Sequence, residues 1–236
     1  MDAAGQKPIS LNFRNRLLSG LVLGPLVLAL ILLGGWYFMT MVMVAAAISF
    51  HEWYGLVKDG KDHYRHIAIG AVYIIICYVS FVFLRLGFDA GGWLTLSLIV
   101  CVWASDVGAY FTGKRIGGKK LAPKISPNKT WAGFGGAMFF FGLTGIVMVG
   151  LGDYMPSSIP ADIGLEPRHV WGVFFAGALM GAVAQAGDLF ISVYKRRANM
   201  KDTGVLIPGH GGLLDRIDSL MLCAPVFFLI VSLWMA

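Results

Sequence analysis

Long apolar runs separated by short polar segments dominate this chain of 236 residues. A helix needs about 20 mainly apolar residues to cross the hydrocarbon core of a bilayer, so each run of that length predicts a transmembrane helix. The run at 17–50 is too long for one helix, and we expect it to break at Gly34–Gly35. The pattern predicts an all-α fold, a polytopic transmembrane helix bundle with about seven spans, near 17–33, 36–56, 67–84, 91–111, 131–151, 170–193 and 217–236.

The composition agrees with a membrane protein. Apolar residues make up 57% of the chain and charged residues 14%, against about 45–50% and about 25% in soluble domains. Such a chain is neither disordered nor a soluble single domain. Its cysteines lie inside apolar runs, without a CxxC motif or a nearby histidine, which predicts packing roles instead of a disulfide or zinc site for Cys77, Cys101 and Cys223.

The basic residues predict the orientation of the spans. Of the 19 Lys and Arg residues, 17 lie in the N-terminal tail and in the second-to-third, fourth-to-fifth and sixth-to-seventh connections. With seven spans these four segments share one side of the membrane. Cytoplasmic segments of membrane proteins carry an excess of Lys and Arg, so this side, with the N-terminus, is predicted to be cytoplasmic.

Four aspartates lie toward the same end of the predicted bundle: Asp106, Asp188, Asp215 and Asp218. An aspartate at bilayer depth costs about 2.5–3.5 kcal/mol on insertion scales, so it usually faces a polar interior. Carboxylates beside a basic surface suit a divalent metal ion that holds a polyphosphate. A structural ion pair is the alternative interpretation for any single one of them.

Helical spacing groups the polar residues of the last third of the chain. Asp188, Ser192 and Lys195 are spaced i, i+4 and i+7, so they share a face if the sixth helix continues that far. A glycine-rich turn at 208–212 follows, and glycines let the backbone approach an anionic ligand closely. A pair at i and i+3, again on one face, opens the last span: Asp215 and Asp218.

The stretch 192–218 resembles the hallmark motif of the phosphatidate cytidylyltransferases, also called CDP-diacylglycerol synthases. The matching residues are, in order, Ser192, Lys195-Arg196, Lys201-Asp202, Pro208-x-His210-Gly211-Gly212, Asp215-Arg216 and Asp218. The segments Asp106–Phe111 and Lys120–Trp131 are also similar to the family, and Gly187-Asp188 fits it. The resemblance covers roughly residues 103–225, and the first hundred residues match only in being apolar.

The resemblance implies a magnesium-dependent membrane enzyme that makes CDP-diacylglycerol and pyrophosphate from CTP and phosphatidic acid. Its Mg²⁺ centre, which a monovalent cation such as K⁺ would share, maps to Asp188 and Asp215. The implied catalytic residues are Asp188, Lys195, Asp215 and Asp218, with Asp106 and Asp218 as candidates for a place behind the metal ligands. The implied substrate-binding residues are Ser126, Lys129, Ser192, Arg196, Lys201, His210, Gly211, Gly212 and Arg216.

We expect a single integral membrane domain in the cytoplasmic (inner) membrane, with its active site facing the cytosol. Residues 1–100 would hold spans one to three and the start of span four. Residues 101–236 would hold the catalytic helices, with cytoplasmic loops 112–130 and 195–216. The expected partners are CTP and phosphatidic acid, without nucleic acid. Small-residue helix faces would allow a homodimer, which the sequence does not decide.

Two other functions remain open from the sequence. A polyprenol kinase, or another membrane enzyme that uses a metal ion and a lipid phosphate, would have a similar architecture. A transporter for an anionic solute also combines intramembrane carboxylates with a basic vestibule. A transporter should show paired broken helices in two halves, whereas the polar residues here are concentrated in the C-terminal half.

Overall fold

A computed structural model describes residues 11–152, 167–206 and 211–235. Over these ranges the chain forms seven helices and one β-hairpin. The helices are α1 (Leu11–Leu33), α2 (Gly35–Val57), α3 (His63–Leu86), α4 (Gly91–Ile116), α5 (Trp131–Gly152), α6 (Pro167–Arg197) and α7 (Leu214–Met235). Each predicted span falls on one of these helices, so the predicted all-α membrane bundle is confirmed.

Six of the described helices, α2 to α7, are long and apolar enough to cross a membrane, whereas the apolar part of α1, Gly20–Leu33, is shorter. The predicted break between α1 and α2 is confirmed. Gly34 and Gly35 have φ angles of 65° and 50°, a conformation that glycine adopts at little steric cost. Arg85 of α3 donates to the carbonyl oxygens of Ile31 and Leu32, at 2.7 and 3.2 Å, and so supplies partners that the end of α1 lacks.

The C-terminal helices form the most closely packed part of the bundle. Helix α5 lies between α4 and α6, and α7 packs on α3 and α6. Small residues let α5 and α6 approach closely: a Cβ atom added to Gly177 would lie 2.7 Å from the Cα atom of Gly142. Such close backbone approach stabilises helix pairs in a bilayer, where apolar surface gains nothing by leaving lipid.

An aromatic cluster joins α2, α3 and α6. The ring of Trp53 is fully buried and packs on Tyr73, Phe190 and Tyr194. Its Nε1 atom donates to the carbonyl oxygen of His66 at 2.9 Å, which gives the indole nitrogen the partner it needs when buried. The cluster anchors the end of α2 in the bundle.

The basic connections after α2, α4 and α6 meet at one end of the molecule. Glu52, near the end of α2, accepts hydrogen bonds from the backbone at the start of α7. Arg196, near the end of α6, donates to the carbonyl oxygen of Ile125 in the connection after α4, at 3.1 Å. The structure therefore brings together three of the four segments that the charge pattern assigned to one side, namely the connections after α2, α4 and α6.

The connection after α4 contains a β-hairpin that the sequence analysis did not predict. Strand β1 (Lys120–Ala122) pairs antiparallel with β2 (Ser126–Thr130), with Lys120 opposite Thr130. Strands of three and five residues are too short to show an alternating pattern of apolar and polar positions. Trp131 N donates to the carbonyl oxygen of Lys119 at 3.1 Å, so the hairpin ends directly against the start of α5. Residues of the hairpin also line the polar cavity described below.

Candidate active site

A polar cavity of about 750 Å³ lies at the end of the bundle where the basic connections meet. Five carboxylates line it, from Asp106, Asp188, Asp202, Asp215 and Asp218. Five basic side chains also line it, from Lys114, Lys120, Lys129, Lys195 and Arg216. Since these charges balance, the negative charge of a bound polyphosphate would need additional cations, and a divalent metal ion is the usual source.

The first ion pair in the cavity joins β2 to α6. Lys129 Nζ lies 2.6 Å from Asp188 Oδ2, and both side chains are mostly buried. Ser192, one turn further along α6, donates to Asp188 Oδ1 at 3.1 Å. The hairpin lysine and the helical serine thus each contact one carboxylate oxygen of Asp188.

The second ion pair joins α6 to α7. Lys195 Nζ lies 2.7 Å from Asp215 Oδ1. The other oxygen, Oδ2, accepts the backbone N–H groups of Thr203 at 2.7 Å and Gly212 at 3.1 Å. Asp215 is therefore positioned by one charged partner and two backbone amides, and its side chain is only 5% exposed.

Asp218 and Asp106 also contribute carboxylates to the cavity lining. Asp218 follows Asp215 by one turn of α7, and its Oδ1 accepts the N–H of Ser219 at 2.8 Å. Asp106 lines the cavity from α4. Helices α4, α6 and α7 therefore each contribute at least one carboxylate to the same cavity.

The structure places the predicted site residues in two groups. Seven of them line the cavity: Asp106, Lys129, Asp188, Lys195, Asp215, Arg216 and Asp218. Six others are described but are not part of that lining: Ser126, Ser192, Arg196, Lys201, Gly211 and Gly212. His210 lies outside the described residues.

Three residues of the second group make hydrogen bonds within the protein itself. Ser192 holds Asp188, Arg196 holds the hairpin through Ile125, and the amide of Gly212 donates to Asp215. The anion that the Gly212 amide meets is thus the protein's own carboxylate. Lys201 is exposed, and Ser126 is partly exposed at the start of β2.

Sequence reasoning did not assign a site role to several residues that the structure places there. Asn128, Gln185 and Asp202 line the cavity, and the hydroxyl of Thr203 lies within hydrogen-bond distance of both Asp215 and Glu52. Glu52 carried a usable signal, because it is a carboxylate inside the predicted second span, the same property that drew attention to Asp106. The neutral residues Asn128, Gln185 and Thr203 carried no such signal in the sequence.

The donor set suits Mg²⁺ shared with a substrate. Within the described ranges, no three His, Cys, Asp or Glu side chains are arranged to hold a metal ion by themselves. Mg²⁺ is typically bound through one or two carboxylates together with substrate phosphates and water, so a site of two aspartates fits its chemistry. Asp188 and Asp215 are the two candidates, each now paired with a lysine.

Comparison with known proteins identifies the family. The model of the cytidylyltransferase family matches residues 14–90 and 60–234. The chain belongs to the cytidylyltransferase family. The phosphatidate cytidylyltransferase of Rickettsia bellii is 37% identical over 228 residues, which cover 95% of this chain and 93% of that protein. The phosphatidate cytidylyltransferase of Rickettsia felis is 37% identical over 93% of this chain and 92% of its own length. That of Brucella suis is 31% identical over 92% of this chain and 93% of its own length.

The region similar to the cytidylyltransferase family is longer than the region that contains the recognised motifs. The similarity reaches into the first hundred residues, where the sequence analysis recognised only apolar character. As a member of this family the chain is a nucleotidyltransferase, and its long apolar helices make it an integral membrane protein. The cavity with its paired lysines and aspartates is the candidate active site of this cytidylyltransferase.

Proposed function

We propose that the chain transfers the cytidylyl group of CTP to phosphatidic acid, with CDP-diacylglycerol and pyrophosphate as products. The observation that carries this proposal is the cavity in which Lys129–Asp188 and Lys195–Asp215 lie at the end of a membrane bundle. Such a site combines cations for phosphates with carboxylates for a metal ion. Its relatives at 31–37% identity are named phosphatidate cytidylyltransferases, which agrees with the proposal.

The reaction needs charge control more than proton transfer. An oxygen of the lipid phosphate, already ionised near neutral pH, forms a new bond to the α-phosphorus of CTP. The bond from that phosphorus to the oxygen bridging to the β-phosphate breaks, and pyrophosphate leaves with the electron pair. The main barrier is repulsion between two anions, so positioning and electrostatic stabilisation supply most of the catalysis.

The residues of the cavity suit these tasks. Lys129 and Lys195 place ammonium groups in mostly buried positions, where their interaction with phosphate oxygens is stronger than in water. Arg216 adds a guanidinium group to the lining. Bound Mg²⁺, held by Asp188 and Asp215, would offset phosphate charge. K⁺ as a further cation, and Asp106 and Asp218 as carboxylates behind the metal ligands, belong to the same proposal.

The position of the cavity suits one substrate that arrives from water and one that arrives from the membrane. We propose that the end with the basic connections faces the cytosol, because cytoplasmic segments are enriched in Lys and Arg. CTP would then enter from water and phosphatidic acid from the inner leaflet of the cytoplasmic membrane. Tyr110 and Phe134, from α4 and α5, add aromatic surface to the lining beside its charged groups.

The proposal is tested by pyrophosphate release from purified protein in detergent, given CTP, phosphatidic acid, Mg²⁺ and K⁺. We expect release that requires both CTP and the lipid and that Asp215→Asn abolishes. The matched control is Asp89→Asn, which removes the same charge from an exposed position between α3 and α4, at the other end of the bundle. A folded wild-type protein that releases no pyrophosphate would overturn the proposal.

A further inference from the structure

Glu52 is a buried carboxylate that reaches from α2 to the start of α7. The residue is 5% exposed. Its Oε1 accepts the N–H of Leu213 at 2.8 Å, and its Oε2 accepts the N–H of Leu214 at 2.9 Å. The first N–H groups of a helix have no partner within the helix and carry partial positive charge. Glu52 therefore caps α7 from a different helix, a role that neighbouring chain residues fill in most helices.

The same carboxylate shares a partner with Asp215. Thr203 Oγ1 lies 2.8 Å from Glu52 Oε2 and 3.0 Å from Asp215 Oδ2. The hydroxyl has one proton, so it donates to one carboxylate at a time, while the backbone N–H of Thr203 donates to Asp215. Glu52 thus contacts the two pieces of chain that hold Asp215, namely Thr203 and the backbone around Gly212.

The glycines on both sides show how closely the chain surrounds Glu52. A Cβ atom added to Gly212 would overlap the hydroxyl of Thr203 and the carboxylate of Glu52. A Cβ atom added to Gly204 would lie 3.1 Å from Glu52 Oε1. Within the described ranges the ion pairs do not include Glu52, so its partners are backbone amides and one hydroxyl. Burial of a carboxylate is costly without such partners, and a side chain with this many of them has a fixed position.

We propose that Glu52 is a positioning residue for Asp215. It holds the start of α7 and the loop at Thr203 together, so that Asp215 keeps one oxygen on the backbone amides and directs the other toward Lys195. This role rests on the proposed function only in assigning Asp215 to nucleotidyl transfer. It also gives α2 a part in a site whose cavity is lined only by residues after position 100.

The test is Glu52→Gln, which keeps the size of the side chain and replaces one acceptor oxygen by an NH₂ donor. We expect kcat to fall about 10–100-fold, the usual loss when a group that orients a metal ligand is removed. The Mg²⁺ concentration for half-maximal activity should rise, and KM for CTP should stay close to the wild-type value. Amide hydrogen exchange in residues 211–216 should become faster, a readout that does not depend on activity.

The matched control is Ser49→Ala on the same helix. Ser49 is fully buried, its hydroxyl lies 2.8 Å from the hydroxyl of Tyr78, and neither residue lines the cavity. Its removal deletes a buried hydrogen bond of α2 but should leave kcat, the Mg²⁺ requirement and exchange at 211–216 unchanged. Lowered thermal stability in both variants with a lowered kcat only in Glu52→Gln would support the positioning role.

A double-mutant cycle with Thr203→Val tests the proposed route. If Glu52 acts through Thr203 and the adjoining backbone, the double variant should lose little more kcat than the more damaged single variant. Multiplied losses would overturn that route, as would a folded Glu52→Gln protein with wild-type kcat, Mg²⁺ requirement and exchange. An inactive wild-type protein would instead contradict the proposed function, and exchange at 211–216 would still test Glu52.

Discussion

Lys195 Nζ lies 2.7 Å from Asp215 Oδ1, although the two residues are on different helices. Lys195 ends the polar face of α6, and Asp215 is in the first turn of α7. Their side chains are 11% and 5% exposed, so each neutralises a charge that would otherwise be buried alone. Both residues line the cavity, and their ion pair links α6 to α7.

Lys195→Met should damage both stability and activity. The variant leaves Asp215 without its charged partner, and loss of one member of a buried ion pair destabilises by about 3–5 kcal/mol. If Lys195 also neutralises phosphate charge, pyrophosphate release should fall at least about 100-fold. Thermal unfolding and pyrophosphate release in detergent measure the two effects.

The control for Lys195 is Lys61→Met, in the exposed connection between α2 and α3 at the same end of the bundle. It removes the same charge without reaching the cavity and should change neither measurement appreciably. A Lys195→Met protein of wild-type stability would show that the ion pair is not maintained in solution.

Ser192→Ala separates two roles for a residue that the sequence analysis assigned to substrate binding. The Ser192 hydroxyl donates to Asp188 Oδ1 at 3.1 Å, so its removal should disorient that carboxylate. We expect kcat to fall about 10-fold while KM for CTP stays near the wild-type value. A raised KM with unchanged kcat would instead indicate a direct contact with the nucleotide. Ser80→Ala, a buried serine of α3 outside the cavity lining, is the control.

Gly212→Ala should destabilise the start of α7. The new methyl group would overlap Thr203 and Glu52, and overpacking of this kind costs about 1–3 kcal/mol. Pyrophosphate release should fall as well, because Asp215 depends on the Gly212 amide. Thermal unfolding of Gly55→Ala provides the comparison. An added methyl at Gly55 meets no atom within 4 Å, so this change in α2 should shift stability by no more than about 1 kcal/mol.

Arg196→Ala tests whether this arginine holds the hairpin or a substrate phosphate. Its Nε donates to the carbonyl oxygen of Ile125 at an exposed position, a bond worth about 1 kcal/mol. We expect faster amide exchange in residues 119–126 and little change in global stability. The control is Arg197→Ala, because the Arg197 guanidinium lies over the ring of Tyr194 instead. Unchanged exchange with a large increase in KM for CTP would favour the phosphate contact.

The apolar pattern was sufficient to predict the membrane helices, because the thickness of a bilayer imposes the length of each run. The break at Gly34–Gly35 was predictable for a similar local reason, since positive φ angles favour glycine. The face shared by Asp188 and Ser192 followed from helical spacing, and their hydrogen bond confirms that α6 continues past Asp188. All three conclusions depend on neighbours in the chain.

The contacts between distant segments could not be predicted in the same way. Lys129 pairs with Asp188 across 59 positions of sequence, and Lys195 pairs with Asp215 across 20. The sequence analysis had assigned the two aspartates to a metal ion and the two lysines to substrate binding or catalysis, and it did not predict that they pair with each other. The strands of the hairpin, with three and five residues, were too short to give a periodic signal. Glu52 joins Leu213 and Leu214 from the far half of the chain.

By itself the sequence determined which segments cross the membrane, which of their ends carry charge, and that Asp188 and Ser192 share a face of α6. Hydropathy and helical periodicity are local properties, so a linear chain displays them fully. The tertiary structure alone decided which carboxylate each lysine faces, how the hairpin closes the cavity, and that α2 supports Asp215 through Glu52. Those outcomes depend on how seven helices pack in three dimensions, where partners are selected by distance and burial and not by their order in the chain.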